Sequence, residues 1–131
     1  YSPELLALRQ RLRALESRYL LAFIAEDNGH YSGYRLEGST RILEHGDSLL
    51  AKCAPDIGSV LNWILAGISG PLTVESGIIQ LQPGIGPGSG SCGVAAFNFI
   101  EEEVDNSVPA WTPIDLPQFR RKMLLDLVVY H

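Results

Sequence analysis

The chain has 131 residues, a hydrophobic content of 46% and a formal net charge of −5 at pH 7. A chain of this length buries about two-thirds of its unfolded surface, so we predict a single domain over residues 1–131. The acidic balance argues against nucleic acid as a partner, because proteins that bind its backbone usually present a basic face. No apolar run reaches the ~18 residues that span a bilayer, so we expect no membrane partner either.

The first residue and the cysteines indicate how the chain is processed and in which compartment it is expected. The chain begins with Tyr1 rather than methionine, and we expect it to be a fragment of a longer chain. Its only cysteines, Cys53 and Cys92, do not form a disulfide framework. We therefore expect an intracellular protein, nuclear or cytoplasmic.

The first half of the chain predicts a helix followed by a three-stranded meander. Ser2-Pro3-Glu4 is a typical helix start, with a capping serine and a proline at the first helical position, and the helix runs to about Ser17. Asn28-Gly29 is a typical hairpin turn. The three strands are predicted over Tyr19–Ile24, Tyr31–Glu37 and Thr40–His45.

The second half predicts further helices and a glycine-rich loop. Pro55–Gly67 carries apolar residues at helical spacing, and Leu72–Leu81 is predicted to hold one or two strands, with the stronger signal at Ile78–Leu81. Two helices follow the loop Pro83–Gly90. They are predicted from Cys92 to about Val104 and from near Pro117, the latter with Phe119, Met123 and Leu127 on one stripe. This order predicts an α+β fold, a small and mainly antiparallel sheet with flanking helices.

Cys92 is the first candidate for chemistry. It follows the glycine-rich loop and opens the apolar run Val94–Ile100. A cysteine at such a junction has its sulfur near unpaired backbone N–H groups, where the helix dipole favours the thiolate. This environment is typical of a nucleophilic cysteine. The alternative is a small buried residue of the helix.

A cysteine nucleophile needs a base and a group that orients the base. A two-residue turn at Gly38-Ser39 would set His30 directly opposite Asp47 on the two strands that it joins. Opposed residues have Cβ atoms about 4.5–5.5 Å apart, close enough for an imidazole and a carboxylate to form a hydrogen bond. A one-residue slip of the register would separate them. Taken singly, His30 is typical of a solvated turn residue, and Asp47-Ser48 of a helix cap.

An acyl-transfer site also needs donors for the oxyanion. The backbone N–H of Cys92 is one candidate. The side-chain amide of Gln82, just before the glycine-rich loop, is another, and Gln80 is the alternative because it lies two residues back and faces the same side. A glutamine at the end of a strand is also common as a plain surface residue.

These residues carry a resemblance to a known family. In chain order they are His30, Asp47-Ser48-Leu49, Gln82 and Ser91-Cys92-Gly93. The order is similar to that of the proteases of ubiquitin-like proteins, the deSUMOylating cysteine proteases related to adenovirus protease. The resemblance covers about residues 19–104 and implies a papain-like, adenovirus-protease-like core. By that resemblance His30 is the base, Asp47 its orienting group, Cys92 the nucleophile and Gln82 the oxyanion donor.

The resemblance also implies an activity. Such a protein is a thiol peptidase or isopeptidase that cuts after the C-terminal glycine of a ubiquitin-like modifier, without a metal or cofactor. Its partners are that modifier or its conjugates. Tyr31 stands where the family usually has tryptophan and would roof a narrow passage for glycine. Ser91 replaces the family's acid, and the interval from Gln82 to Cys92 is longer than usual.

Other functions fit parts of the pattern. The long loop before Cys92 favours an inactive, protease-like binding module for a ubiquitin-like partner, and an acyltransferase would use the same triad. Nucleotide binding is disfavoured, because Gly84–Gly90 lacks the Lys-Ser/Thr of a P-loop and Pro87 removes a backbone donor. A metal site from Cys92, His30 and Asp47 lacks the paired spacing typical of such sites.

Overall fold

The computed structural model describes residues 2–68, 70–86 and 89–130, with side chains described up to residue 125. The elements are α1 (Pro3–Leu15), β1 (Leu20–Asp27), β2 (His30–Glu37), β3 (Ile42–Gly46), α2 (Pro55–Leu65), β4 (Thr73–Ser76), α3 (Cys92–Val104) and α4 (Leu116–Tyr130). In this part of the chain the strands form a four-stranded sheet in the order β1-β2-β3-β4. The α+β prediction is confirmed. The sheet is mixed, because β4 pairs parallel to β3 while the other pairs are antiparallel.

The predicted helix start and first hairpin turn are confirmed. Ser2 caps α1, since its Oγ accepts a hydrogen bond from the backbone N–H of Leu5 at 3.3 Å. Asn28 and Gly29 have φ angles of 51° and 81°, and two positive φ angles are the signature of a type I′ turn. Helix α1 ends at Leu15, slightly before the predicted end.

The predicted two-residue turn between β2 and β3 is wrong. The backbone N–H of Gly38 donates to the carbonyl of Tyr19 at 2.9 Å, so Gly38 still belongs to the pairing with β1. The connection therefore spans residues 38–41, and Glu37 faces Ile42. All pairs shift by two positions relative to the prediction. A shift by an even number keeps every side chain on its predicted face of the sheet.

The strand predicted over Ile78–Leu81 is also wrong. The fourth strand lies earlier, at Thr73–Ser76, on the edge of the sheet. Strand β3 has only five residues, and the pairing on this side ends where the N–H of Gly77 donates to the carbonyl of His45 at 2.9 Å. Beyond that point β3 offers no further partner groups, and the side chain of Ile78 is 91% exposed.

Helices cover both faces of the sheet. On one face, the main cluster of buried side chains joins α1 and α2 to the strands; it contains Leu12, Tyr34, Leu36, Leu43, Leu61, Ile64 and Leu65. A second cluster, between α3 and α4, contains Val94, Ala95, Trp111 and Leu116, with Phe119 and Met123 packed against it as predicted. Leu127, the third residue of the predicted stripe, lies outside the described side chains. No helix among the described residues is long and apolar enough to cross a membrane.

Glycines lie on the second face of the sheet where Phe99 of α3 contacts it. A Cβ atom added at Gly33, Gly46 or Gly77 would lie only 2.6–2.8 Å from the ring of Phe99. Arg35 holds the same side chain from β2, because its guanidinium lies 4.0 Å from the ring centroid and donates to the Phe99 carbonyl at 3.1 Å. These glycines therefore set how closely α3 approaches the strands.

Replacing Gly33 with alanine is expected to lower the free energy of unfolding by about 1–3 kcal/mol, the usual cost of overpacking a close contact. The new methyl group would meet both the ring of Phe99 and the carbonyl of Ala96, at 2.8 and 3.1 Å. Urea denaturation measures the change. The control is Gly58→Ala, because nothing lies within 4 Å of that site in α2 and alanine favours a helix by about 0.5–1 kcal/mol. Unchanged stability of Gly33→Ala would contradict the packing described.

Candidate active site

His30 and Asp47 form a hydrogen-bonded pair at one end of the sheet. Nε2 of His30 lies 2.8 Å from Oδ2 of Asp47. His30 is the first residue of β2, Asp47 directly follows β3, and both line a cavity on the face that α2 covers. The predicted hydrogen bond is therefore present although the predicted register is wrong. Extending the observed register sets Ser32 opposite Asp47, and the imidazole of His30 reaches the carboxylate diagonally.

The carboxylate of Asp47 is held in a fixed orientation. Its side chain is almost fully buried, and Oδ1 accepts a hydrogen bond from the backbone N–H of Leu49 at 2.8 Å. Oδ2 is thereby directed at His30. Since an ionised carboxylate can only accept, the proton of the neutral imidazole lies on Nε2. Nδ1 of His30 is then the nitrogen that can take up a proton.

Gln82 is hydrogen-bonded to Ser48, the residue that follows Asp47. The backbone N–H of Gln82 donates to the carbonyl of Ser48 at 3.1 Å, and the hydroxyl of Ser48 donates to Oε1 of Gln82 at 2.9 Å. With its oxygen engaged, the side-chain amide of Gln82 keeps Nε2 as a donor for another group. The alternative, Gln80, is exposed, and its Nε2 donates to the carbonyl of Leu81 at 3.2 Å. The hydrogen bond from Ser48 to Gln82 was not predicted. The only indication of it in the sequence is the place of Ser48 in the Asp-Ser-Leu motif.

Cys92 begins α3 at the end of the sheet where β2 starts, and the predicted helix start at Cys92 is confirmed. A Cβ at Gly93 would lie 3.9 Å from the ring of Tyr31, and a Cβ at Gly33 would lie 3.1 Å from the carbonyl of Ala96. Later residues of α3 therefore contact later residues of β2, so the helix and the strand run in the same direction. The first turn of α3 lies level with the first residues of β2.

The thiol of Cys92 is not bonded to the other candidate residues. Helix α3 covers one face of the sheet, whereas the side chain of His30 lies on the other. Within the described ranges, the half-buried Cys92 makes no side-chain hydrogen bond or ion pair. The structure therefore links His30 to Asp47, and Gln82 to the adjoining Ser48, while Cys92 lies at the same end of the sheet without a bond to them.

A cavity of about 220 Å³ opens beside His30. Its lining includes the acidic residues Glu26, Asp27 and Asp56 and one lysine, Lys52. This excess of negative charge favours cationic groups near the cavity. The cavity therefore suits an amine or a basic segment that approaches His30 from the side of α2.

His45 lies beneath the pair, and no role was predicted for it. Its side chain is 7% exposed, and its ring stacks on Tyr34 with the ring centroids 4.6 Å apart. Nε2 of His45 lies 3.9 Å from the same Oδ2 of Asp47 that binds His30. Burial lowers the pKa of His45, Asp47 partly opposes this effect, and His30 adds to it. The sequence does indicate this proximity, because side chains alternate along a strand and His45 and Asp47, two positions apart, share one face.

Comparison with models of known protein families and with curated proteins finds no match. No group of three or more His, Cys, Asp or Glu side chains is placed to hold a metal ion, over the part of the chain that the structure describes.

Proposed function

We propose that this chain is a cysteine peptidase of the type that processes ubiquitin-like proteins, with a papain-like core, and that it cleaves the amide bond after a C-terminal glycine. The observation that carries the proposal is the 2.8 Å hydrogen bond between His30 Nε2 and Asp47 Oδ2. It leaves Nδ1 of His30 as a base in the tautomer that a cysteine nucleophile requires.

In the proposed reaction His30 is first the base and then the acid, and Cys92 is the nucleophile. Nδ1 of His30 accepts the proton of the Cys92 thiol, and the sulfur attacks the carbonyl carbon of the glycine. The developing oxyanion accepts hydrogen bonds from the backbone N–H of Cys92 and from Nε2 of Gln82. His30 then returns the proton to the departing amine as the C–N bond breaks. Water hydrolyses the thioester and releases the glycine carboxylate.

The proposal requires Cys92 and His30 to come together when substrate binds. Catalytic hydrogen bonds are often long in the free enzyme and tighten in the complex. Nδ1 of His30 is the atom that must reach the sulfur, because Nε2 is held by Asp47. One atom of the Tyr31 ring would lie 3.9 Å from a Cβ built on Gly93, so the start of β2 and the start of α3 are neighbours. Because the side chain of His30 and helix α3 lie on opposite faces of the sheet, this approach requires the imidazole to move around the end of β2.

The cavity beside His30 fits the departing amine of an isopeptide. In a conjugate this amine belongs to a lysine, and the acidic residues Asp27 and Asp56 in the cavity lining would attract a basic segment beside it. An acyltransferase would use the same residues, with a second amine in place of water.

A second candidate function is a protease-like binding module without activity. The observation that favours it is the thiol of Cys92, which makes no hydrogen bond to His30 among the described residues. Such a module would still bind a ubiquitin-like partner but would form no covalent adduct with it.

The test uses ubiquitin-like proteins whose C-terminal glycine carries a thiol-reactive vinyl ester. We expect a covalent adduct at Cys92, located by mass spectrometry, because the bound glycine tail delivers the reactive group to the nucleophile. Cys92→Ser should abolish the adduct, and Cys53→Ser should leave it unchanged. Binding without an adduct would support the inactive module and contradict the peptidase. Neither binding nor an adduct across the panel would contradict both.

A further inference from the structure

The strongest unexplained group outside the proposed roles is the buried imidazole of His45. Its Nε2 is buried and, among the described residues, has no hydrogen-bond partner. A buried donor without a partner is unfavourable, because the group loses its hydration and gains nothing in return. A phenyl ring at this position would stack on Tyr34 without that cost. Packing alone therefore does not account for a histidine here, and the neighbours of its Nε2 atom have to be considered.

The neighbour of this nitrogen is the carboxylate of Asp47. Nε2 of His45 is 3.9 Å from Oδ2, beyond a hydrogen bond but within reach of a small rotation of the carboxylate. Oδ1 of Asp47 is already held by the N–H of Leu49, and Oδ2 accepts from His30 and has room for a second donor. The negative charge favours the tautomer of His45 with its proton on Nε2, since the other tautomer would direct a lone pair at the carboxylate.

We propose that His45 is a positioning residue, whose buried Nε2–H holds the Asp47 carboxylate in place while His30 exchanges its proton with the reacting groups. The catalytic part of this inference rests on the proposed function. When the ring of His30 moves towards Cys92, the Asp47 carboxylate turns towards His45 and gains a second donor. Oδ2 then accepts from both histidines while Oδ1 accepts from Leu49, so the carboxylate keeps its hydrogen bond to His30 as the ring moves.

The test compares three variants of the full chain. His45→Phe keeps an aromatic ring against Tyr34 and removes the donor. His45→Gln places an amide N–H near the position of Nε2 and should restore the behaviour of the wild type. Leu43→Val is the control for general loosening, because Leu43 is fully buried on the same strand and the same face. Thermal unfolding confirms that each variant is folded.

Two readouts separate positioning from packing. In His45→Phe, the Nε2-bound proton of His30 should exchange with solvent about 3- to 10-fold faster by NMR, and kcat for glycine-amide cleavage should fall by a similar factor with KM unchanged. His45→Gln and Leu43→Val should stay within about twofold of the wild type. Unchanged proton exchange in His45→Phe, or equal changes in Leu43→Val, would overturn the proposal. If the wild type cleaves nothing, the proposed function fails, while the proton exchange of His30 still decides the role of His45.

Discussion

Replacing Asp47 with asparagine is expected to slow glycine-amide cleavage by about 10²- to 10⁴-fold, the range that general acid–base catalysis contributes. The amide oxygen of asparagine would keep the hydrogen bond from Leu49, which Oδ1 now accepts at 2.8 Å. Its NH₂ group would then face Nε2 of His30 and force the proton of the imidazole onto Nδ1. In that tautomer His30 cannot accept the proton of Cys92. Steady-state kinetics measures the loss.

The matched control is Asp56→Asn, which changes a carboxylate of the same cavity that makes no hydrogen bond to His30. We expect this variant to keep kcat close to the wild-type value on a glycine amide without a basic leaving segment, because Asp56 has no proposed role in the proton transfer. Circular dichroism and thermal unfolding confirm that both variants are folded. Equal activity of Asp47→Asn and the wild type would remove the role of Asp47 as the group that orients the base.

Replacing Gln82 with alanine is expected to lower kcat by about 10²- to 10³-fold, the usual effect of losing one oxyanion donor. The hydroxyl of Ser48 holds Oε1 of Gln82 at 2.9 Å, so Nε2 is oriented before substrate arrives. KM should change little, because the oxyanion forms only during the reaction. Ser48→Ala should show a smaller loss, since the amide of Gln82 is kept but is no longer oriented.

Gln80→Ala is the control for Gln82, because Gln80 is an exposed neighbour whose amide donates to the carbonyl of Leu81. We expect it to retain wild-type kcat. A loss in Gln80→Ala equal to that in Gln82→Ala would assign the effect to the segment rather than to the oxyanion donor. No loss in Gln82→Ala would leave the backbone N–H of Cys92 as the proposed donor.

The pair of His30 and Asp47 was predictable from sequence because it depends on the parity of the strand register rather than on its exact value. The predicted turn was too short, since Gly38 pairs with Tyr19 instead of entering the turn. The resulting shift of two positions preserved the faces of both side chains. A shift of one position would have placed the imidazole and the carboxylate on opposite faces.

The parts of the site that sequence did not predict depend on contacts distant along the chain. Ser48 meets Gln82 across 34 positions, and no local pattern indicates that contact. The strand predicted at Ile78–Leu81 has suitable residues but no partner, because β3 ends at Gly46. His45 shares a face with Asp47 by alternation, yet only the packed structure shows that its nitrogen is buried beside the carboxylate.

The measurement that tests the central claim most directly is the labelling rate of Cys92 by the glycine-terminated vinyl ester at pH 6, with Cys53 as the internal reference. The comparison is made in the wild type and in His30→Ala. A functional triad predicts fast labelling of Cys92, little labelling of Cys53, and loss of the difference in His30→Ala. Labelling of Cys92 that equals that of Cys53, or that is unaffected by His30→Ala, would contradict the catalytic account.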